Sequence, residues 1–387
     1  GQTVTVTFGG KNYTASVASD GSWAATVPAA DLAALPEGSA SAQASVSNIN
    51  GNSASAVHNY SVDSSVPTII INTVASDNIV NASEADAGVT VSGSTTAEAG
   101  QIVTITLNSP TVQTYQATVQ ADGSWSINIP AADLEALTDG SHTLTATVND
   151  KAGNPASTTH NLAVDLTVPV LTINTIAGDD IINAAEAGVA QTISGQVTGA
   201  AVGDAVTVTL GGNTYTTTVQ PGLSWSVSIP ADAIQALGNG DLTVSASVTN
   251  QNGNTGSGTR DITIDANLPG LRVDTVAGDD VVNIIEHGQA LVVSGSSSGL
   301  AEGTPLTVTI NNVEYTTAVQ ADGSWSVGVT AAQVSAWPAG TVTVTVSGES
   351  SAENPVSITH PVMVDLTPAA ITINTIANIT SGRLKPC

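Results

Sequence analysis

A repeat with a period of about 100 residues runs through the chain and limits the folds that it can adopt. Four tryptophans recur in one local context, DGSW at 20–23, DGSW at 122–125, GLSW at 222–225 and DGSW at 322–325. A tyrosine stands ten positions before each of them, at Tyr13, Tyr115, Tyr215 and Tyr315. A repeated unit of this length is the size of one β-sandwich domain, so the sequence predicts a tandem array of such domains.

A second recurring motif divides the chain into repeats. The motif reads VDSSVP (62–67), VDLTVP (164–169), IDANLP (264–269) and VDLTP (364–368). We predict a first repeat at 1–65 that lacks its first strands, complete repeats at 66–167, 168–267 and 268–367, and at 368–387 the start of a further repeat plus an unrelated tail. Proline fixes φ and restricts the preceding residue, so the joints between repeats are expected to be stiff.

The pattern of apolar residues predicts β-strands throughout the second repeat. Seven segments alternate or are rich in β-branched residues, with Gly, Asn, Asp or Pro between them. The predicted strands are A at 68–74, B at 89–94, C at 102–108, D at 114–120, E at 124–130, F at 142–149 and G at 157–165. One short helical turn, PAADLEAL at 130–137, is predicted between E and F.

The predicted fold class is all-β, with tandem seven-stranded immunoglobulin-like β-sandwich domains. An odd number of antiparallel strands puts the entry and the exit of a domain at opposite ends. The domains are therefore predicted to follow one another as an extended rod.

The DGSW motif is interpreted as a turn followed by a core residue. If Val119 and Trp125 both face the core, strands D and E form a hairpin with the three-residue loop 121–123. Such a loop places a glycine in the left-handed conformation, and Gly123 stands at that position. The third repeat has Pro-Gly-Leu at 221–223 and is predicted to make a different turn. The alternative is that these tryptophans bind carbohydrate.

The charge balance excludes several classes of partner. The 387 residues include 32 Asp and Glu but only six Lys and Arg, and the net charge is −26. A nucleic acid or an anionic membrane surface is not expected as a partner, because little positive charge could neutralise phosphate. No apolar run reaches the roughly 20 residues that cross a bilayer, so membrane insertion is not expected. The single cysteine, Cys387, excludes an intrachain disulfide.

Acidic and amide residues cluster in one turn of each complete repeat, SDNIVNASEAD at 76–86, GDDIINAAEAG at 178–188 and GDDVVNIIEHG at 278–288. Strand A runs to the end of the domain where strand G finishes, so this A–B turn should lie beside the aspartate that ends G. Loops of the next repeat should face it, and the fourth joint should be incomplete. The facing groups are expected to be Glu98, Asp122, Asn149, Asp150 and Asn154 at the first joint, Asp204 and 250–254 at the second, and Glu302, Asp322 and 348–354 at the third.

Carboxylates that converge without Lys or Arg repel one another, and a hard cation relieves the repulsion. Ca²⁺ takes roughly six to eight oxygen ligands from Asp, Glu, Asn and backbone carbonyls. Transition metals are not expected, because His and Cys do not cluster in the sequence. The predicted Ca²⁺ ligands are Asp63, Asp165, Asp265, Asp77, Asp179, Asp180, Glu84, Glu186, Asp279, Asp280, Glu286 and Asp150.

Structural capping is the alternative interpretation of the same turns, and the two interpretations are compatible. Asp and Asn close turns and cap short helices, and Asn183 is placed to cap one helical turn. Three histidines, His58, His160 and His360, stand five residues before a joint aspartate, and Arg260 takes that place in the third repeat. An arginine cannot replace a metal ligand, so we interpret this as an exposed strand position.

The motifs V-D-x-T-x-P, D-G-S-W and G-D-D-x-x-N-x-x-E at this period resemble the bacterial immunoglobulin-like repeats of giant, type I-secreted adhesins. Within that family, the adhesins of the biofilm-associated type from enteric bacteria are the nearest group. The resemblance covers residues 1 to about 377. It implies a rod that is stiffened by Ca²⁺ at the joints and projects an adhesive tip from a Gram-negative surface.

The resemblance assigns Ca²⁺ binding to Asp165 and Asp265 at the joints, and to the residue pairs Asp179–Asp180 and Asp279–Asp280 in the A–B turns. This chain departs from the pattern at Asn78, which replaces the second Asp in the second repeat, and at Gly348, where the second repeat has Asp150. Those joints are expected to bind fewer Ca²⁺ ions, or to bind them more weakly.

The expected function is therefore a structural stalk in cell adhesion and biofilm formation, secreted to the bacterial cell surface. Its expected partners are Ca²⁺ and the neighbouring repeats, with host or bacterial surfaces reached through other parts of the protein. A module that binds carbohydrate or a host receptor is the alternative, although only 3% of the residues are aromatic. Catalysis is not expected, because the paired carboxylates recur in every complete unit.

Overall fold

The computed structural model describes residues 1–108 and 111–373, and β-strands dominate both ranges. The fold divides into two compact units, which we describe separately. One comprises Gly1–Val168 with Asn252–Asn254, and the other comprises Pro169–Gln251 with the chain from Thr255. Within the described ranges, no helix is long and apolar enough to cross a bilayer. The predictions for 374–387, including Cys387, lie outside the described residues.

The first repeat, in the first unit, is a single four-stranded sheet with a short helix. Its elements are β1 (Thr3–Phe8), β2 (Lys11–Ser16), α1 (Ala29–Leu32), β3 (Gly38–Ser47) and β4 (Ser53–Val62), in the sheet order β2-β1-β3-β4. The segment SWAATVP at 22–28 is not a strand here. Its counterparts in the other repeats pair with a strand B that has no equivalent in residues 1–65, so the backbone lacks its ladder partner and Trp23 is 44% exposed.

The second repeat, also in the first unit, forms a sandwich of a three-stranded and a five-stranded sheet. Its elements are β5 (Ile69–Ile71), β6 (Ile79–Asn81), α2 (Ala82–Ala87), β7 (Val89–Thr95), β8 (Ile102–Asn108), β9 (Gln113–Thr118), β10 (Ser124–Ile129), α3 (Ala131–Glu135), β11 (Gly140–Asn149) and β12 (Pro155–Asp165). The sheet orders are β10-β7-β5 and β6-β12-β11-β8-β9. Alternate apolar residues of both sheets are buried between them and form one core.

The third repeat, in the second unit, has the same two sheets. Its elements are β13 (Val170–Ile173), β14 (Ile181–Asn183), α4 (Ala184–Ala187), β15 (Gln191–Thr198), β16 (Ala205–Leu210), β17 (Asn213–Thr218), β18 (Ser224–Ile229), α5 (Ala231–Leu237), β19 (Gly240–Thr249) and β20 (Thr255–Asp265). The sheet orders are β13-β15-β18 and β14-β20-β19-β16-β17.

The fourth repeat continues the second unit with the same arrangement. Its elements are β21 (Gly270–Val273), β22 (Val281–Asn283), β23 (Leu291–Ser298), β24 (Pro305–Ile310), β25 (Val313–Ala318), β26 (Ser324–Val329), α6 (Ala331–Val334), β27 (Gly340–Glu349) and β28 (Pro355–Asp365), with 3-10 turns at Val276–Gly278 and Glu286–Gly288. The sheet orders are β21-β23-β26 and β22-β28-β27-β24-β25. The all-β, immunoglobulin-like sandwich predicted from the sequence is thus confirmed.

Each complete repeat contains the seven predicted strands and an eighth short one. The predicted A–B turn holds this extra strand, which is β6 in the second repeat and pairs in parallel with β12. Just before it, the backbone of Ala75, Ser76 and Asn78 has positive φ values of 52°, 70° and 68°. This tight turn moves the chain from the three-stranded sheet to the edge of the five-stranded sheet. The extra strand runs in the direction of strand A, so the exit end of the domain is unchanged.

The prediction of a D–E hairpin was wrong, although the faces of the two strands were predicted correctly. Strand β9 belongs to the five-stranded sheet and β10 to the three-stranded sheet, so the turn at 121–123 connects two sheets and closes no ladder. Val119 and Trp125 nevertheless both face the core, and Gly123 has the expected left-handed φ of 81°. In the third repeat Gly222 and Leu223 both have positive φ, 88° and 58°, so the backbone of the turn differs as predicted, although the same two backbone hydrogen bonds close it.

The DGSW tryptophans of the three complete repeats are core residues. Trp125, Trp225 and Trp325 are each 1% exposed. Each one packs beneath a glycine of strand B, and in the third repeat a Cβ atom on Gly195 would lie 1.8 Å from the carbonyl oxygen of Thr172 and 2.8 Å from the Trp225 ring. The tight contact explains why glycine occupies the middle of a buried strand.

Candidate metal centre at the repeat junctions

The acidic A–B turn and the joint aspartate lie at the same end of each complete repeat. In the parallel ladder Asn81 pairs with Asp165, Asn183 with Asp265 and Asn283 with Asp365. This is the placement that the odd strand count predicts. We call this end of each repeat, formed by the A–B turn and the joint aspartate, the exit pole.

The polar positions that recur in the A–B turns of the complete repeats have local hydrogen-bonding roles. Asp179 Oδ1 accepts the N–H of Ile181 at 2.9 Å, and Asp180 Oδ1 accepts the N–H of Ile176 at 3.0 Å. The corresponding acceptors in the other complete repeats are Asp77, Asn78, Asp279 and Asp280. These bonds close the turn that precedes the extra strand.

The second half of the turn is a capping box. The side chain of Asn183 accepts the N–H groups of Ala185 and Glu186, and Glu186 Oε2 accepts the N–H of Asn183 at 3.0 Å. Asn81 with Glu84, and Asn283 with Glu286, form the same reciprocal bonds. The structural-capping interpretation is therefore confirmed for these residues.

The position that the sequence suggested to be an exposed strand residue binds the A–B turn instead. Arg260 donates to both carboxylate oxygens of Asp180, at 2.6 and 2.5 Å. His360 Nε2 lies 2.7 Å from Asp280 Oδ1, and His160 Nε2 lies at the same distance from Asn78 Oδ1. These contacts tie the A–B turn to the last strand of its own repeat.

The contacts from Arg260 and His360 change the protonation equilibrium of their carboxylates. The hydrogen bond from Arg260 holds the pKa of Asp180 below its ordinary value. The hydrogen bond from His360 lowers the pKa of Asp280 in the same direction. These partners favour a structural role for Asp180 and Asp280, and their predicted role as Ca²⁺ ligands stays a prediction.

The joint aspartates each begin the connector to the next repeat. One carboxylate oxygen accepts the N–H of the residue two positions ahead. The pairs are Asp63 with Ser65, Asp165 with Thr167, Asp265 with Asn267 and Asp365 with Thr367. Such turns leave the exit pole with a defined geometry at the start of each proline-containing connector.

An asparagine at the tip of the F–G loop contacts the exit pole. Asn354 Nδ2 donates to the carbonyl oxygen of Asp265 at 2.7 Å, and Asn354 Oδ1 accepts the N–H of Ala184 at 2.7 Å. Asn254 makes the same two contacts with Asp165 and Ala82, both at 2.8 Å. We call this pair of bonds the amide latch. In the first unit, Asn154 Nδ2 donates to the carbonyl oxygen of Asp63 at 3.0 Å.

A small polar cavity lies beside the latch between the third and fourth repeats. Its volume is about 260 Å³, and its lining consists of Ala177, Gly178, Asp179, Asn183, Glu186 and Glu353. Three acidic residues thus line one space, and Glu353 comes from the fourth repeat. The bonds of Asp179 and Glu186 to the backbone each use only one oxygen of the carboxylate.

The chemistry of this lining fits a hard cation, because its side-chain donors are oxygen atoms of carboxylates and an amide. Within the described residues, however, no three side chains of His, Cys, Asp or Glu lie close enough together to hold a metal ion. The lining is therefore a set of suitable donors that is not drawn together into a coordination shell.

Several residues that we expected to face the exit pole instead bind groups of their own loops. Asp150 accepts bonds from Gly153 and Asn154 in its own F–G turn, and the side chain of Asn154 lowers the pKa of Asp150. The remaining local contacts are Asp122 with Ser124, Asp322 with Ser324 and Asp204 with Ala201. Glu98 instead accepts the N–H of Lys151 from the F–G loop of its own repeat.

Comparison with known proteins places these repeats in a family. The model of the bacterial Ig-like domain matches residues 70–166. A solved Ca²⁺-stabilised adhesin, with which an Antarctic bacterium reaches out and binds ice, is 32% identical, and the alignment covers 94% of this chain and 90% of that one, with a TM-score of 0.40. The chain belongs to the bacterial Ig-like domain family.

Two other solved structures resemble these bacterial Ig-like repeats. A tetra-tandem repeat from the extending region of a large adhesion protein is 29% identical over 95% of this chain and 92% of that one, with a TM-score of 0.38. A bacterial Ig-like domain of the M. primoryensis ice-binding adhesin is 36% identical over 26% of this chain and 99% of that one, with a TM-score of 0.23. A comparison with curated protein sequences gave no match.

Proposed function

We propose that this chain is a segment of the stalk of a large bacterial surface adhesin, and that Ca²⁺ stiffens the junctions between its repeats. The observation that carries the proposal is that Asp179, Glu186 and Glu353 line the same cavity. Two of these carboxylates come from the exit pole of the third repeat and one comes from the fourth repeat.

The uncompensated negative charge at such a junction favours the binding of cations. The chain has a net charge of −26, and the cavity lining contains neither Lys nor Arg. A bound Ca²⁺ supplies positive charge that offsets the repulsion and links oxygen donors of two successive repeats. Asp179, Glu186 and Glu353 would bind the ion directly, and Asn183 would add an amide oxygen only if it gave up part of its capping role.

The same assignment extends to the other predicted ligands as part of the proposal. The joint residues Asp63, Asp165 and Asp265 each use one carboxylate oxygen in the connector turn. The other oxygen of Asp165 accepts a hydrogen bond from Asn252 Nδ2 at 2.6 Å, which Ca²⁺ would have to replace. The acidic residues Asp77 and Glu84 occupy the positions of Asp179 and Glu186 in the second repeat, and Asp279 and Glu286 do so in the fourth. The 32% identical relative is described as a Ca²⁺-stabilised adhesin, which supports the ion as the shared feature.

The proposed location is the outer surface of a Gram-negative bacterium, reached by type I secretion. The adhesin relatives support surface display, and a role in biofilm formation of the enteric type is the narrower part of the proposal. In this role the repeats act as a spacer, and other parts of the protein would bind the target surface. The burial of Trp125, Trp225 and Trp325 argues against a carbohydrate platform built from the DGSW motif.

Thermal unfolding with and without Ca²⁺ tests the proposal. Sites with dissociation constants of roughly 10⁻⁴–10⁻³ M would contribute about 1.4–2.7 kcal/mol each at ~10 mM Ca²⁺. Ca²⁺ should therefore raise the melting temperature, and a chelator should reverse the change. Small-angle scattering should show a longer particle in Ca²⁺.

A triple variant, Asp179→Asn with Glu186→Gln and Glu353→Gln, should lose part of the Ca²⁺-dependent stabilisation. The matched control neutralises three exposed acidic residues outside the cavity, through Asp232→Asn, Glu135→Gln and Glu314→Gln. If the wild-type chain melts at the same temperature and has the same length in Ca²⁺ and in chelator, the proposal is wrong.

A further inference from the structure

We propose that the amide latch couples the third and fourth repeats without a cation, so that their junction holds its geometry in two separable ways. The latch at the junction of the third and fourth repeats consists of Asn354, the carbonyl of Asp265 and the N–H of Ala184. This inference deepens the proposed stalk function by naming what keeps a junction docked when Ca²⁺ is absent.

The latch hydrogen-bonds two backbone groups, an N–H and a carbonyl, at the ends of secondary-structure elements. Ala184 is the first residue of α4, and its N–H cannot bond within the helix. The side chain of the capping residue Asn183 accepts the N–H groups of Ala185 and Glu186. The N–H of Ala184 donates instead to Asn354. Asp265 ends β20, and its carbonyl receives the amide of the same side chain. One carboxamide thus satisfies one donor and one acceptor at the exit pole.

Charge and burial separate the latch from the proposed cation binding. Its partners are a neutral side chain and two peptide groups, so protonation of carboxylates does not remove it. Asn354 is 0% exposed and Asn254 is 2% exposed, which shields both latches from competition by water. Breaking the latch would leave two part-buried peptide groups without these partners, which is unfavourable.

The F–G loop does not need the latch for its own fold. A backbone bond from Ser350 N–H to Asn354 O closes the loop of the fourth repeat. The first repeat has Asn52 at the equivalent position, where the same backbone bond runs from Asn48 N–H to Asn52 O. Asn52 is exposed and has no preceding exit pole within residues 1–65, yet its loop is closed in the same way. The side chain of Asn354 therefore acts between repeats, as a positioning residue.

Distance measurement between spin labels on the third and fourth repeats tests the latch. Labels at Thr216→Cys and Thr316→Cys, in a Cys387→Ser background, mark equivalent exposed strand positions. In chelator, the full-length chain with Asn354 should give one narrow distance distribution. Asn354→Ala should lose the narrow peak in chelator and give a broad distribution. Asn354→Asp should do the same, because a carboxylate cannot donate to the carbonyl of Asp265.

Two comparisons exclude an effect on folding alone. Asn52→Ala removes the same side chain from an exposed tip and should leave the narrow peak unchanged. Amide exchange of β27 and β28 should remain at the wild-type level in Asn354→Ala. A distribution in chelator that is equally broad with Asn354 and with Ala would overturn the latch.

The stalk proposal and the latch fail in different measurements. One possible result is that Ca²⁺ changes neither the melting temperature nor the particle length, while Asn354→Ala broadens the distance distribution. This result supports the latch and contradicts the Ca²⁺ proposal. A chain that is stiffened by Ca²⁺, but shows no difference between Asn354 and Ala in chelator, contradicts the latch alone.

Discussion

Arg260 donates hydrogen bonds from two nitrogens to the carboxylate of Asp180, although the two residues are 80 positions apart in the sequence. The contact pins the A–B turn of the third repeat to its last strand. The equivalent contacts are Asn78 with His160 in the second repeat and Asp280 with His360 in the fourth. The chemistry of the pair therefore varies among repeats while the position of the contact is preserved.

Replacing Arg260 by alanine should destabilise the third repeat in a pH-dependent way. The pKa of Asp180 is lowered in the folded chain, so the ion pair stabilises the fold above the ordinary value of 3.8 and this gain is lost as pH falls through the folded pKa. The difference in urea midpoint between wild type and Arg260→Ala should be constant above about pH 5 and shrink toward pH 3.

Arg272→Ala is the control, because Arg272 and Asp274 form an ion pair at 3.6 Å whose side chains are 73% and 45% exposed. Exposed pairs contribute little, so this variant should change the midpoint less. A difference for Arg260→Ala that does not depend on pH would contradict the assignment of the effect to Asp180.

Replacing Gly195 by alanine should destabilise the core of the third repeat. The added Cβ would overlap the carbonyl oxygen of Thr172 and press on Trp225. Overpacking of this kind costs about 1–3 kcal/mol, which urea unfolding would detect. Gly328→Ala is the matched control, because Gly328 also lies in a strand but a Cβ there meets no atom within 4 Å. Equal losses in the two variants would show that the Trp–Gly contact is not tight.

Acrylamide should quench the fluorescence of Trp23 preferentially. Trp23 is 44% exposed, whereas Trp125, Trp225 and Trp325 are each 1% exposed and Trp337 is 3% exposed. A neutral quencher is preferable to iodide, which the net charge of −26 would repel. Trp23→Phe should remove the readily quenched component, while Trp225→Phe should leave it in place. If both variants retain that component, Trp23 is not the exposed tryptophan.

Much of the fold could be predicted from the sequence because its signals are local. The alternation of apolar residues marks strands, and Gly123 marks a turn whose backbone requires positive φ. The extra strand at Ile79–Asn81 escaped prediction because three residues are too few for a periodic pattern. The separation of β9 and β10 into two sheets escaped it because a short turn between alternating strands also fits a hairpin.

The exit pole could be predicted from topology, but its contacts could not. Counting strands places Asn183 near Asp265, and the ladder pairs them. The bond between Asp180 and Arg260 was missed because a histidine and an arginine at one position looked like an unconstrained surface site. The available signal was that the two positions always hold hydrogen-bonding partners, which are Asn with His in the second repeat, Asp with Arg in the third and Asp with His in the fourth. The latch was missed because both of its targets are backbone groups, which side-chain patterns do not reveal.

Calorimetric titration of Ca²⁺ into the metal-free chain tests the central claim most directly. We expect a saturable isotherm, with fewer ions bound by the Asp179→Asn, Glu186→Gln, Glu353→Gln variant than by the Asp232→Asn, Glu135→Gln, Glu314→Gln control. An absence of binding heat in the wild-type chain at several temperatures, or the same number of ions bound by both variants, would contradict a cation site at the repeat junction.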